Sequence, residues 1–212
     1  MTQLAANADN LRIGLMGVGG VCAAVHYPGL SRIPGVTIQA ICDPNAELVS
    51  SRAAEWGVSS SFTNVGDLLA EGLDAVVIAT PAPLHTAQSI AALATGRHVL
   101  CEVPAVASLG EAHALVQAVE SSSGSYMLAE NVNYFDRTLA WQKFIDAGKL
   151  GTIHYAEAEY IHDCSSLFTH PDGTPTWRAS LPPIHYCTHS LGPLLAWTGD
   201  RCVSVTGMHT GS

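Results

Sequence analysis

Two kinds of chemistry are suggested by residue types and spacings in this chain. The first is anion binding. Gly17-Val18-Gly19-Gly20 follows a short apolar run, Leu11–Met16, and precedes a helical pattern through Ala23, Ala24 and Leu30. In a strand–turn–helix setting, Gly17 allows the tight turn and Gly19, lacking a Cβ, lets a pyrophosphate reach the backbone. Gly20 and Val21 stand at the helix start, where free N–H groups and the positive end of the helix dipole face an anion. Cys22, also a small residue, occupies the place of the fingerprint's third glycine. The next strand, Val36–Cys42, ends in Asp43, roughly 20 residues past the turn. A carboxylate there accepts hydrogen bonds from both ribose hydroxyls and repels a 2′-phosphate. Together these features point to NAD rather than NADP. The sequence leaves open a plainer role for Asp43, as the cap of a helix starting at Pro44.

The second kind is proton chemistry at strand ends. Thr80-Pro81 with His85, Glu102-Val103-Pro104, and Glu130-Asn131-Val132-Asn133-Tyr134 each follow an apolar run. In an open α/β sheet such ends converge where ligands bind. Further on lie His185, Tyr186, Thr188 and His189; the two histidines are four residues apart and share a face if that segment is one helix. His162, Asp163, His185 and His189 are also of metal-ligating types. Nothing in their spacing makes them converge, and no metal is expected. Lysine is scarce, only Lys143 and Lys149 being present.

The elements that must position these groups alternate. Helical patterns are read at Ala46–Trp56, Val65–Ala70, His85–Thr95 and Ser108–Ser121, and strands at Ser59–Phe62, Leu73–Ala79, His98–Cys101 and Ser125–Ala129. Such β/α alternation predicts a Rossmann-type, doubly wound parallel sheet. The pattern then changes. Thr138–Ala147 reads as a helix, Thr152–Ile161 and Arg201–His209 as strands, His185–Trp197 as a helix interrupted by Pro193, and Asp163–Pro183 as a long irregular loop. Loops of that length are usually functional or disordered. The reading is an NAD-binding domain over residues 1–130, followed by a partial α+β substrate and oligomerisation domain with an open sheet over 131–212.

Composition narrows the function classes. The chain has 212 residues, 48% apolar and 13% charged, with a net charge of −9. The acidic balance argues against nucleic acid or an anionic membrane as a partner. No apolar run is long enough to span a bilayer, and Met1–Asn10 lacks the layout of a signal peptide. The six cysteines have no Cys-x-x-Cys spacing and suit reduced core residues in a cytoplasmic protein.

In combination, several segments resemble the Gfo/Idh/MocA oxidoreductases, the family of glucose–fructose oxidoreductase and inositol dehydrogenase. These are Gly17-Val18-Gly19-Gly20, His26-Tyr27-Pro28, Asp43-Pro44-Asn45, Thr80-Pro81 with His85, the run Gly96-Arg97-His98-Val99-Leu100-Cys101-Glu102-Val103-Pro104, and Gly148-Lys149-Leu150-Gly151. The resemblance implies a nicotinamide-binding N-terminal domain and a C-terminal open sheet over a sugar or cyclitol site. It implies Gly17, Gly19, Gly20, Val21, Asp43, Thr80, Pro81, His85, Glu102 and Asn131 on the cofactor side. It also implies His189 as the base for a substrate hydroxyl, with Tyr186 and His185 orienting it or relaying the proton. Two positions depart from the family pattern: Val103 stands where a lysine is usual, and His185 where an aspartate is. The run Tyr186-Cys187-Thr188-His189-Ser190-Leu191-Gly192-Pro193 is similar to that of the NAD-dependent α-N-acetylgalactosaminidases, which oxidise a sugar hydroxyl transiently, eliminate the aglycone, add water and reduce again. The leading expectation is an NAD-dependent oxidoreductase acting on a sugar, cyclitol or glycoside hydroxyl. The alternatives are a glycoside hydrolase working by transient oxidation, and a non-catalytic NAD- or sugar-binding homologue. A sheet left short has an open edge, so a homo-oligomer is expected.

Overall fold

The computed structural model describes residues 10–181 and 183–208. The chain divides into two compact units, Met1–Ala129 and Glu130–Ser212.

The first unit is built on six strands: β1 (Leu11–Met16), β2 (Val36–Cys42), β3 (Ser60–Phe62), β4 (Ala75–Ile78), β5 (His98–Cys101) and β6 (Tyr126–Leu128). All are parallel, in the order β3-β2-β1-β4-β5-β6. The order reverses between β1 and β4, which places the ligand crevice beyond their C-terminal ends. Alternate side chains of the strands feed two cores. Ile13, Leu15 and Val77 pack with Cys22 and Val49 on one face. Met16, Val76, Ile78 and Val99 pack with Leu68, Leu93 and Leu115 on the other. Burial on both faces explains why these strands read as unbroken apolar runs.

The helices of this unit are α1 (Tyr27–Leu30), α2 (Ala46–Trp56), α3 (Val65–Ala70), α4 (His85–Ala94) and α5 (Leu109–Ser121). Their starts follow local capping chemistry. Asn45 Oδ1 accepts from Leu48 N at 3.0 Å and Ser108 Oγ from Glu111 N at 3.2 Å. The cap of α2 is therefore Asn45 rather than Asp43, and α2 begins at Ala46. Ahead of α1, Cys22–His26 forms a π-helical turn in which Tyr27 N donates to Cys22 O. The sequence pattern showed an ordinary helix there; the wider turn begins at the residue that replaces the third glycine.

The second unit contains α6 (Asp136–Asp146) and α7 (Thr188–Thr198), joined by an indole hydrogen bond from Trp197 Nε1 to Thr138 O at 3.2 Å. Short 3₁₀ turns occupy Asn131–Tyr134, Ser165–Leu167, Trp177–Ser180 and Pro183–Tyr186. Two readings change here. Thr152–Ile161 and the described part of Arg201–His209 form no ladder, and His209 lies outside the described residues. Their alternating pattern gives each a strand-like preference, but a strand exists only with a hydrogen-bonded neighbour, and neither segment has one among the described residues. The helix read over His185–Trp197 is instead a 3₁₀ turn through Tyr186 followed by α7, so His185 and His189 do not share one helix face.

Candidate active site

The first unit presents a cradle for a dinucleotide at the end of β1. Gly17 has φ +80°, and a Cβ there would lie 2.8 Å from the carbonyl of Ala79. Only glycine allows the turn to press against the end of β4. Where Cβ atoms would stand at Gly19 and Gly20 there is nothing within 4 Å, so the approach to their backbone is open. Val21 is exposed beside them. Asp43 braces the loop: one carboxylate oxygen accepts from Val18 N at 3.1 Å and the other from Asn45 N at 3.0 Å. The open glycine backbone and the carboxylate at the end of β2 fit a pyrophosphate and an adenosine ribose respectively.

Other residues named on this side act as braces. His85 is 1% exposed, with Nδ1 2.8 Å from Pro104 O and Nε2 2.8 Å from Thr80 O. Both ring nitrogens face backbone carbonyls, which sets the ring between the Thr80-Pro81 turn and the Val103-Pro104 turn. Thr80 Oγ1 in turn donates to Gln88 Oε1 at 2.6 Å. Glu102, at the end of β5, is paired with His26 Nε2 at 2.7 Å, and its second oxygen accepts from Val103 N at 3.3 Å. His26 is buried and comes from the π-helical turn. Nothing in the residue spacing pairs His26 with Glu102, because the π-helical turn that aims it leaves no mark in the sequence pattern.

The second unit holds a different constellation. His189 Nδ1 lies 2.7 Å from Glu130 Oε1, which also accepts from Val132 N at 3.1 Å. Glu130 is 5% exposed. An ionised carboxylate only accepts hydrogen bonds, so His189 donates from Nδ1, and in the neutral imidazole that leaves the Nε2 lone pair free. The imidazole lies close to two phenol rings, with centroids at 4.6 Å for Tyr160 and 6.1 Å for Tyr186. Burial, with the neighbouring Tyr186 and Glu130, raises the Tyr160 hydroxyl above its ordinary value, so it stays a donor at neutral pH. Tyr160 and Tyr186 also line a cavity of about 240 Å³, together with His162, Cys164, Phe168 and Arg178. Residues from both ends of the long irregular loop, from Cys164 to Leu181, contribute to its wall. Arg178 is held over the Trp177 ring at 4.2 Å, and its Nε is buried without a hydrogen-bond partner among the described residues. With Leu167 and Leu181 also in its wall, the cavity offers a mostly apolar and aromatic lining with a few polar groups and one cation, the usual make-up of a small-molecule site.

The structure thus brings His189 together with Tyr186, and adds Glu130 as a hydrogen-bonded partner of its Nδ1. His185 sits half-buried in the preceding 3₁₀ turn, and Asn131 is exposed in the 3₁₀ turn after Glu130. Glu130 was legible only as a polar strand end. A signal did exist: with histidine in the usual aspartate slot, His189 needed a carboxylate from elsewhere. Among the described residues no group of three or more His, Cys, Asp or Glu is placed to hold a metal ion.

Comparison with known proteins agrees with this fold. The profile of the Gfo/Idh/MocA family, described as an oxidoreductase family with an NAD-binding Rossmann fold, matches residues 11–130. The chain belongs to that family, and the cofactor of its Rossmann unit is NAD. A glycosyl hydrolase family 109 protein of Shewanella amazonensis is 36% identical over 213 residues, 90% of this chain and 46% of that protein. The WlbA dehydrogenase of Bordetella pertussis, solved with NADH and UDP-GlcNAcA, is 30% identical with a TM-score of 0.61, over 67% of this chain and 43% of that one. The myo-inositol 2-dehydrogenase of Lactobacillus plantarum is 27% identical with a TM-score of 0.63, over 68% and 43%. The chain spans about half the length of the curated relatives it matches. Among the described residues no helix is long and apolar enough to cross a membrane.

Proposed function

We propose that this chain carries the NAD-binding unit and part of the substrate unit of a glycoside hydrolase that works by transient oxidation of a sugar hydroxyl. The observation that carries the reading is His189, held through Nδ1 by a buried carboxylate at 2.7 Å and ringed by the two phenols that line the cavity. NAD held on the Gly17–Val21 turn and Asp43 would supply a reversible hydride acceptor, and with it a route to cleavage in which the hydroxyl becomes a carbonyl, the neighbouring C–H gives up its proton as the aglycone leaves with one from solvent, water adds across the double bond, and the carbonyl is reduced again, so that the net reaction is hydrolysis. His189 Nε2 takes the hydroxyl proton as the hydride departs, and Glu130 stabilises the imidazolium that forms. Tyr160 and Tyr186 donate hydrogen bonds to the sugar, and Arg178 fixes its orientation. Gly17, Gly19, Gly20, Val21 and Asp43 hold the dinucleotide, while Thr80, Pro81, His85 and Glu102 shape the turns beside it. The similarity to glycosyl hydrolase family 109 proteins favours net glycoside cleavage over a simple dehydrogenase.

Val103 favours one competing reading, a non-catalytic NAD- and sugar-binding homologue, because valine moves no proton. The purified protein with NAD, offered a panel of free sugars and aryl glycosides, separates these. Aglycone release without accumulation of reduced nicotinamide is the expected result. Accumulation with a free sugar would replace the proposal with a dehydrogenase, and NAD binding with no turnover of any substrate would replace it with the binding homologue.

A further inference from the structure

Inside α7, two residues that each weaken a helix stand side by side, Gly192 and Pro193. Both bear on His189. Gly192 follows it by three residues and so shares its face of the helix. Pro193 follows it by four and has no N–H, so the His189 carbonyl lacks its ordinary helical donor. The space at Gly192 is already taken: a Cβ there would stand 2.9 Å from Glu130 Cγ and 3.0 Å from Asn133 Oδ1. Glu130 has little freedom to retreat, because its Oε1 is held by Val132 N and His189 Nδ1. Its Oε2, with Asn133 Oδ1 and Thr188 Oγ1, is buried with no hydrogen-bond partner among the described residues.

We propose that Gly192 is a positioning residue for catalysis: the side chain it lacks is what lets α7 approach the Asn131–Tyr134 turn closely enough for Glu130 to reach His189. The inference rests on the reading of His189 as the proton acceptor. Local helix preference alone would favour alanine at this position.

The test is Gly192→Ala in the full chain with isotope-labelled histidine. In the wild type the Nδ1 proton of His189 gives a downfield, slowly exchanging resonance, identified by its loss in His189→Asn. Gly192→Ala loses that resonance, as Glu130→Gln does, and kcat falls by about 10²-fold with KM held. Gly110→Ala, also inside a helix but with only Ser108 Oγ at 3.9 Å from the new methyl, keeps it. Retention of the resonance in Gly192→Ala would overturn the proposal. If Gly192→Ala does not fold, the triple variant Glu130→Ala/Asn133→Ala/Gly192→Ala decides, because it removes both side chains against which the methyl presses. The triple variant matches Glu130→Ala/Asn133→Ala in melting temperature; a further loss beyond that double variant would overturn the proposal. Full turnover by His189→Asn would remove the proton-acceptor reading, and the resonance would still decide whether Gly192 sets the geometry.

Discussion

At the scale of single residues, the second unit is organised around one hydrogen bond, Glu130 to His189. It fixes which ring nitrogen carries the proton and which is free to accept one. Glu130→Gln keeps the shape but replaces an obligate acceptor with a group that also donates, so the imidazole is no longer held in one tautomer. Steady-state kinetics on an aryl glycoside should show kcat reduced by about 10²–10⁴-fold with KM little changed, and His189→Asn reduced at least as far. A rise in KM with kcat unchanged would instead mark the pair as a binding feature. Residue types exposed part of this chemistry directly. Tyr186 and His189 were legible from their motif, whereas Glu130 lies 59 positions from His189. Nothing in local spacing pairs them; only the fold does.

At the scale of elements, Rossmann βαβ units were legible because their signals are local. An apolar run, a glycine turn, an Asn or Ser cap and an apolar helical stripe each act within a few residues. The observed α2 and α3 accordingly keep the bounds read from sequence. What failed were elements whose existence depends on distant partners. The alternating segments after residue 150 have strand-like patterning but no neighbour among the described residues. The π-helical turn at Cys22–His26 likewise answers to packing against β1 and to the His26–Glu102 pair, neither visible in a helical pattern. Two substitutions probe this level. Gly17→Ala forces a Cβ to 2.8 Å from the Ala79 carbonyl at a positive φ. It should cost about 1–3 kcal/mol and shrink the rise in melting temperature that NAD produces in the wild type. Leu93→Ala, from a side chain 1% exposed in the core beneath β4 and β5, should cost about 2–5 kcal/mol in denaturant unfolding.

At the scale of the whole molecule, buried thiols in the first unit make stability sensitive to alkali. Burial pushes Cys22 from an ordinary 9.0 up to about 12, and Cys42 and Cys101 up to about 11. Burial also raises the Tyr126 hydroxyl, beside Cys101. The folded state thus holds these protons more tightly than the unfolded chain. Their contribution is fully present below pH 9.0 and is lost as pH rises through 11 to 12. Denaturant midpoints should therefore fall steeply above pH 9.0, and Cys101→Ala should flatten that fall. A midpoint independent of pH across this range would show that the thiols are not held as the structure places them.

Redox and hydrolysis meet in one expectation about the product. Transient oxidation makes the C–H next to the new carbonyl acidic, and its proton is lost to solvent before water adds. The most direct measurement is aryl glycoside hydrolysis in deuterated water, with the released sugar read by NMR. The account predicts one solvent deuterium on the carbon adjacent to the oxidised position, NAD-dependent and absent with His189→Asn. Aglycone release at the same rate with no deuterium in the sugar, or without any need for NAD, would contradict it.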